Sequence, residues 1–116
     1  MGKRSPVQAL EDILQAIADI KQMTRKHTLA TYSRDKVTQY ATERCLLIIA
    51  EAAKHLPSPL TARAKDIPWQ QIRGVGDVLR HDYENIQPTR VWNIIEVHLT
   101  KLGKACRKLR DAQPGK

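Results

Sequence analysis

Apolar residues in the N-terminal part of the chain recur at steps of three and four, the spacing of one face of an α-helix. The repeat predicts a helix from about Pro6 to about Lys26, with Ser5 as its N-cap and Pro6 in its first turn. The apolar positions are Leu10, Ile13, Leu14, Ile17 and Ile20. The segment therefore predicts an amphipathic helix with one buried stripe.

The pattern changes in the next segment, where a second helix is predicted from just after Ser33 to about Leu56, before Pro57. Its first half is amphipathic, but from Cys45 to Ala53 it is apolar on nearly every side and interrupted only by Glu51. A helix that is apolar all round is covered all round. We therefore expect it either to be the central helix of the fold or to be covered by a second subunit.

The second half of the chain predicts three further helical elements. They are a short helical turn at residues 60–65, a helix from about Pro68 to His81, and a last helix after a connection at residues 84–88. The helix from about Pro68 is started by Asp66 or Ile67, with Pro68 in its first turn. The last helix carries the apolar residues Val91, Ile94, Ile95, Leu99, Leu102, Cys106 and Leu109. Residues 113–116 are expected to fray. Without strand-like alternation or repeats, residues 1–116 are predicted to form one all-α domain, an up-and-down bundle of four to five helices.

Composition narrows the range of partners without choosing one. The 116 residues carry a net charge of +8, which favours an anionic partner such as nucleic acid or an acidic protein. Phe is absent, so we expect an aliphatic core with Trp69 and Trp92 as anchors at helix starts. The longest apolar run, residues 45–50, is far too short to span a membrane. No secretory signal is visible, and Cys45 and Cys106 lack metal-ligand spacing, so a cytoplasmic protein with reduced thiols is expected.

The segment from residue 73 to residue 83 concentrates the residue types that phosphate chemistry requires. Successive side chains of a helix rotate by about 100°, so one third of its circumference would carry Arg73, Asp77, Arg80 and His81. The opposite side would carry Ile72, Val75 and Leu79. The spacing of four residues lets Asp77 contact both Arg73 and His81. A nuclease that uses no metal needs a group to move a proton and a cation to stabilise the phosphorane, for which His and Arg suffice. The alternative interpretation is a solvated face of ion pairs.

Several other residues have two interpretations each. Gly74 and Gly76 each destabilise a helix by about 1 kcal/mol relative to Ala, which indicates either close helix packing or close approach of a ligand. Glu51 is expected to bind an arginine or tyrosine near the site, unless it lies at the surface. The basic end of the last helix is interpreted as a solvated face or as a surface that steers RNA; it comprises Lys101, Lys104, Arg107, Lys108 and Arg110. Structural or exposed positions are expected for His27, His55 and His98.

Several separated motifs together resemble the HepT-like branch of the HEPN ribonucleases, and the resemblance covers nearly the whole chain. In chain order they are Thr42-Glu43-Arg44, Ala50-Glu51-Ala52-Ala53-Lys54, Ile67-Pro68-Trp69-Gln70-Gln71-Ile72-Arg73-Gly74, Leu79-Arg80-His81-Asp82-Tyr83 and Val91-Trp92. The resemblance implies an all-α HEPN-like bundle that forms a homodimer, with the active cleft at the subunit interface. Such a dimer would also cover the second helix.

The resemblance further implies a toxin that cleaves RNA without a metal or cofactor. For such a site we expect catalytic roles for His81, Arg73, Arg80 and Asp77, and supporting roles for Glu51 and Asp82. The implied partner is an MntA-type nucleotidyltransferase antitoxin that uses ATP to add AMP to Tyr83. Attached AMP would block the site by its bulk and negative charge. In the family pattern four to six residues separate an arginine from the histidine. The position five before His81 is Gly76 in this chain, so Arg73 or Arg80 would take that role.

Three functions follow as hypotheses. The leading one is an RNA endonuclease toxin that acts as a homodimer and leaves a 2′,3′-cyclic phosphate. The second is a catalytically inactive HEPN dimer that binds a minimal nucleotidyltransferase or a nucleotide. The third is a basic, helical nucleic-acid-binding protein without chemistry, whose binding would be sensitive to salt.

Overall fold

In the computed structural model, the described residues are 5–113, without the side chain of Tyr83. The α-helices are α1 (Pro6–Thr24), α2 (Leu29–Tyr32), α3 (Lys36–Ala53), α4 (Ser58–Thr61), α5 (Trp69–His81), α6 (Pro88–Asn93) and α7 (Leu99–Asp111). Two 3₁₀ turns span Ala62–Ala64 and Tyr83–Asn85, and a π-helical segment spans Ile94–His98. No strand occurs among residues 5–113, so the predicted all-α class is confirmed. The number of helices in the bundle and the dimer stay predictions.

Side-chain caps fix where the two longest helices begin. Ser5 Oγ accepts a hydrogen bond from the Gln8 amide at 3.1 Å, as predicted for the start of α1. Asp35 Oδ1 accepts one from the Thr38 amide at 3.0 Å and starts α3. Both helices end within three residues of their predicted ends. Capping residues and hydrophobic period together therefore define these elements.

Two short features differ from the expected connections. The chain between α1 and α3 contains α2, a single turn whose N-cap Thr28 and third residue Thr31 form a capping box. The helix predicted from about Pro68 begins at Trp69, and the choice of Asp66 or Ile67 as the residue that starts it is wrong, because the N-cap is Pro68. Ile67 is buried, and its carbonyl accepts a hydrogen bond from the Trp69 amide at 2.8 Å, so the chain turns around this side chain before the helix starts.

The core is aliphatic and lies between the long helices. α3 packs against α1 on one side and α5 on the other, while α7 packs against α1. The two tryptophans are core anchors, as predicted: Trp69 is buried with its Nε1 donating to the Ala64 carbonyl at 3.1 Å, and the half-buried Trp92 ring lies 5.3 Å from the buried Tyr32 ring. α3 thus contacts both α1 and α5, but the described residues do not cover it on every side, because Val37, Tyr40 and Ile48 stay exposed.

The last helix is interrupted where the sequence predicts continuity. The π-helical segment Ile94–His98 joins α6 to α7. The buried residues Val91 of α6, Ile95 of the π-helical segment and Leu99 of α7 follow one another at two successive steps of four. A regular α-turn contains 3.6 residues, so two steps of four drift away from the core unless the helix widens locally. The wider π turn keeps all three side chains on the buried face.

The two cysteines and the last residues are the remaining features for which the sequence makes a prediction. Cys45 and Cys106 are free thiols, as expected, and burial raises the pKa of Cys106 to about 12. Of the segment expected to fray, Gln113 is described and residues 114–116 lie outside the described part, as do residues 1–4. Within residues 5–113, no helix is both long enough and apolar enough to cross a membrane.

Candidate active site

The position of α5 depends on its two faces and on one glycine. Ile72, Val75 and Leu79 pack against the core, as their spacing predicts. Gly76 is buried against α3: a Cβ atom at this position would lie 3.1 Å from Ala50 Cβ and 3.5 Å from Glu51 Oε2. Close helix packing therefore explains Gly76.

Gly74 is different, because a Cβ atom there would have nothing within 4 Å. The packing interpretation does not apply to Gly74, whose surroundings are open. The two glycines of α5 thus have separate settings, although the sequence gives them the same helix penalty.

Close packing of α5 on α3 creates a cluster of four charged residues, which we call the charge cluster: Glu51, Lys54, Asp77 and Arg80. The Arg80 guanidinium donates to Glu51 Oε2 through Nη1 and to Asp77 Oδ1 through Nη2, the latter at 2.8 Å. Lys54 Nζ lies 3.4 Å from Glu51 Oε2 and 3.8 Å from Asp77 Oδ1. Two carboxylates and two cations therefore hold one another across the helix pair.

Glu51 has the partner that its apolar helix requires. The hydrogen bond from Arg80, followed by the nearby Lys54 charge, holds the Glu51 pKa below its usual value against partial desolvation. The same hydrogen bond raises the pKa of Arg80. The Arg80 side chain remains 36% exposed, so a phosphate from solvent can reach it.

Lys54 is the member of the cluster that sequence reasoning missed. It lies three residues after Glu51 on α3, at a spacing that brings helix side chains together. Its contact with Asp77 depends on the pairing of α3 with α5, which no local pattern specifies.

Arg73 is held at a different place. Its Nε donates to the carbonyl of Ala53, the last residue of α3, at 3.2 Å. Asp77 contacts Arg80 and Lys54 rather than Arg73 and His81, so the expected double contact is not formed. The physical reason is that Arg73 reaches the end of α3 instead, where the Ala53 carbonyl accepts its Nε together with the Leu56 amide, the latter also at 3.2 Å.

His81 is the last residue of α5 and is exposed. Its imidazole forms no hydrogen bond or ion pair with the described residues. Its neighbour Asp82 is the C-cap, and Asp82 Oδ1 accepts a hydrogen bond from Asn85 Nδ2 at 2.6 Å. Asp82 therefore stabilises the turn that follows α5, while the imidazole stays accessible. The side chain of Tyr83, two residues further on, lies outside the described part.

The remaining histidines agree with their structural or exposed assignment. His27 Nδ1 lies 2.9 Å from Thr31 Oγ1, and its Nε2 lies 3.4 Å from Asp35 Oδ2. His55 and His98 are exposed. Across residues 5–113, no group of three or more His, Cys, Asp or Glu side chains is placed to hold a metal ion.

One stripe of α3 is left uncovered by the chain. Val37 is 78% exposed, Tyr40 65% and Ile48 37%. Further along the same stripe, Ile48, Glu51 and His55 line a shallow depression of about 220 Å³. The charge cluster thus lies at the edge of an exposed, partly apolar surface.

Comparison with known proteins shows to which family the amino-acid sequence is similar. The model of the family described as "Ribonuclease HepT-like" matches residues 13–109. "Probable ribonuclease HepT" of Thermococcus cleftensis is 34% identical over 108 residues, which cover 93% of this chain and 98% of that protein. A "Putative RNase" of Methanocaldococcus jannaschii is 29% identical over 116 residues, which cover 100% of this chain and 96% of that protein. No solved structure matches the chain significantly.

Proposed function

This chain belongs to the ribonuclease HepT-like family, and we propose on that premise that it is an endoribonuclease toxin that cleaves RNA without a metal ion. The observation that carries the proposal is an exposed imidazole at His81 that has no partner among the described side chains, directly after an arginine that remains open to solvent. These are the proton-transfer group and the phosphate-binding cation that such cleavage requires.

In the proposed reaction the ribose 2′-oxygen attacks the adjacent phosphorus, while the bond from phosphorus to the 5′-oxygen breaks. His81 takes the proton of the 2′-hydroxyl or gives a proton to the leaving 5′-oxygen, and solvent completes the other proton transfer. The products are a 2′,3′-cyclic phosphate and a 5′-hydroxyl, so no oxygen atom from water is incorporated in this step. Arginine neutralises the charge that develops on the phosphorane oxygens.

Of the two arginines, Arg80 is the better candidate for the phosphate. Its guanidinium is oriented by the carboxylates of Glu51 and Asp77 and is partly exposed. The Nε of Arg73 is engaged by the Ala53 carbonyl. We therefore assign the phosphate contact to Arg80, orientation of Arg80 to Asp77 and Glu51, and placement of α5 on α3 to Arg73.

The homodimer is part of this proposal. The uncovered stripe of α3 presents Val37, Tyr40 and Ile48 to solvent next to the charge cluster, and covering it with a second copy would bury apolar surface. The two sites would then share one cleft. Ile48→Glu should yield monomers in sedimentation velocity experiments, whereas Val97→Glu, which alters an exposed valine on the π-helical segment, should leave the dimer intact.

The test of the chemistry is His81→Ala. We expect the cleavage rate to fall by about 10² to 10⁴-fold, the usual contribution of a general acid or base, and toxicity to be lost with it. His98→Ala is the matched control, since His98 is also exposed and lies on another helical segment. Unchanged cleavage in His81→Ala, or products that end in a 3′-hydroxyl, would refute this mechanism.

The proposed regulator is an MntA-type nucleotidyltransferase antitoxin that transfers AMP from ATP to the Tyr83 phenol with release of pyrophosphate. The backbone of residue 83 directly follows the Asp82 cap of α5, so AMP attached there would be close in sequence to His81. Intact mass spectrometry after co-expression should show mass gains in AMP units that disappear in Tyr83→Phe. Equal gains in both proteins would place the modification elsewhere.

A second candidate is a catalytically inactive dimer that binds the nucleotidyltransferase. Gly76 favours it, because close packing against Ala50 leaves no room for an arginine at the position where the family pattern has one. This candidate predicts partner binding without RNA turnover, so the His81→Ala experiment separates the two.

A further inference from the structure

A groove that the proposed catalytic residues do not line runs between the Ala62–Ala64 turn and α7. It has a volume of about 430 Å³, and its rim carries four cations and one carboxylate; these residues are Arg63, Lys65, Lys101, Lys108 and Asp66. The floor between them is aliphatic and includes Leu109. We call this surface the basic groove.

The cations of the basic groove are free, in contrast to those of the charge cluster. All four side chains belong to exposed residues, and none forms an ion pair or hydrogen bond within residues 5–113. Lys101 and Lys108 are seven residues apart on α7, so they lie on the same face about 10 Å apart along the axis. The groove therefore presents a net positive charge, since one carboxylate stands against four cations that form no ion pair within residues 5–113.

The groove is separated from the catalytic histidine by the length of one helix. Asp66 lies three residues before the start of α5, whereas His81 is its last residue. Thirteen helical residues span about 20 Å. A ligand that occupies both places must be long as well as anionic.

We propose that the basic groove binds the sugar-phosphate backbone of the RNA substrate, as a second contact beyond the cleavage site. The inference rests on the proposed function only in taking the bound RNA to be the RNA that is cleaved. No aromatic side chain lines the groove, so bases have no stacking platform and contacts go to phosphates. This binding is therefore independent of sequence and sensitive to salt.

The composition of the rim favours RNA over an acidic protein. Three of the four cations are lysines, a residue that is depleted at protein interfaces, where aromatic residues and arginine are enriched. Phosphate contacts have no such bias, because lysine binds phosphate as a point charge. RNA binding that does not depend on the groove lysines in the test below would therefore reject RNA as the ligand of this groove.

The test measures binding of the full chain to a fluorescent, single-stranded 2′-O-methyl oligoribonucleotide by anisotropy at several KCl concentrations. This RNA lacks the attacking 2′-hydroxyl, so binding is measured without turnover. The variant is Lys101→Gln/Lys108→Gln. The matched control is Arg34→Gln/Lys36→Gln, which removes two exposed cations at the start of α3 that do not line the groove.

We expect the groove variant to weaken binding at least tenfold at low salt. The slope of log K against log [KCl] should become shallower by about 1.4, since each phosphate contact on a single strand contributes about 0.7. The control pair should retain the wild-type slope. Equal losses of affinity in both variants, or an unchanged salt slope in the groove variant, would overturn the proposal.

The outcomes also separate this inference from the proposed function. Cleavage that depends on His81 but RNA binding that is indifferent to Lys101 and Lys108 would reject the groove and keep the nuclease. Binding that depends on the groove without any cleavage of ordinary RNA would support the groove and reject the nuclease. Circular dichroism melting of both variants verifies that they are folded.

Discussion

The charge cluster and the basic groove both contain arginine and lysine, but they use these residues in opposite ways. In the cluster, Arg80 and Lys54 are matched by two carboxylates on facing helices. In the groove, four cations face one carboxylate and none of them is paired within the described residues. Pairing fixes where a guanidinium points, whereas free charge attracts a polyanion from a distance.

The difference originates in the elements that carry the charges. The cluster requires two long helices in close contact, which Gly76 permits by lacking a side chain. The groove cations project from a short turn and from the outer face of α7, where no opposing helix supplies carboxylates. We therefore expect an arginine that is held by ion pairs to contribute to catalysis, and an unpaired arginine to contribute to the affinity for RNA.

The largest predicted effect is the difference in kcat between the Arg80→Ala and Arg63→Ala variants. Arg80→Ala removes the oriented guanidinium, and we expect kcat to fall by about 10² to 10³-fold, as when one donor to a transition-state oxyanion is lost. Arg63→Ala removes one of four groove cations and should mainly raise KM, by several-fold. Steady-state cleavage of a short RNA at fixed salt measures both. Similar kcat values for the two variants would contradict the distinction between paired and free cations.

The two glycines of α5 test whether close packing builds the cluster. Gly76→Ala places a Cβ atom 3.1 Å from Ala50 Cβ, and such overpacking destabilises a core by about 1 to 3 kcal/mol. Gly74→Ala is the control, since its Cβ atom would meet nothing within 4 Å and alanine should stabilise the helix by about 0.5 to 1 kcal/mol. Urea unfolding at 25 °C measures the difference. If the two variants are equally stable, α5 does not depend on contact at Gly76.

The smallest predicted effect is on the free energy of unfolding at acidic pH. The Glu51 pKa is held below its ordinary value of 4.5 mainly by the Arg80 hydrogen bond. Its stabilising contribution is therefore complete above that value and is lost as the pH falls through the lower value of the folded state. Because Glu51 is 45% exposed, we expect less than about 1 kcal/mol. Urea unfolding between pH 6 and pH 3 should show a weaker acid dependence in Glu51→Gln than in Glu96→Gln. Identical curves would mean that the pair adds nothing to stability.

Much of the fold could be predicted because its signals are local. Ser5 and Asp35 cap helices with residues three positions away, and the hydrophobic period marks the buried stripes of α1 and α5. The π-helical segment was missed because a step of four residues is also compatible with an ordinary α-helix. Its effect becomes visible only when two such steps follow each other against a fixed core.

The candidate site was less predictable because its contacts cross between helices. Spacing along α5 correctly grouped the polar residues on one face, but it could not specify that Asp77 contacts Lys54 of α3 instead of His81. Nor could it show that Arg73 reaches the Ala53 carbonyl, since that acceptor is exposed only where α3 ends. Partner choice on a helix face is decided by the neighbouring helix.

The hydrogen bond from Arg73 to the end of α3 has a consequence for genetics. A change at Arg73 loosens the joint between two helices and so displaces Arg80 and His81 together, without removing any group that touches RNA. Under the proposed toxin function, a selection for harmless variants would therefore recover Arg73 substitutions beside those of the catalytic pair. Their lowered melting temperature would distinguish them.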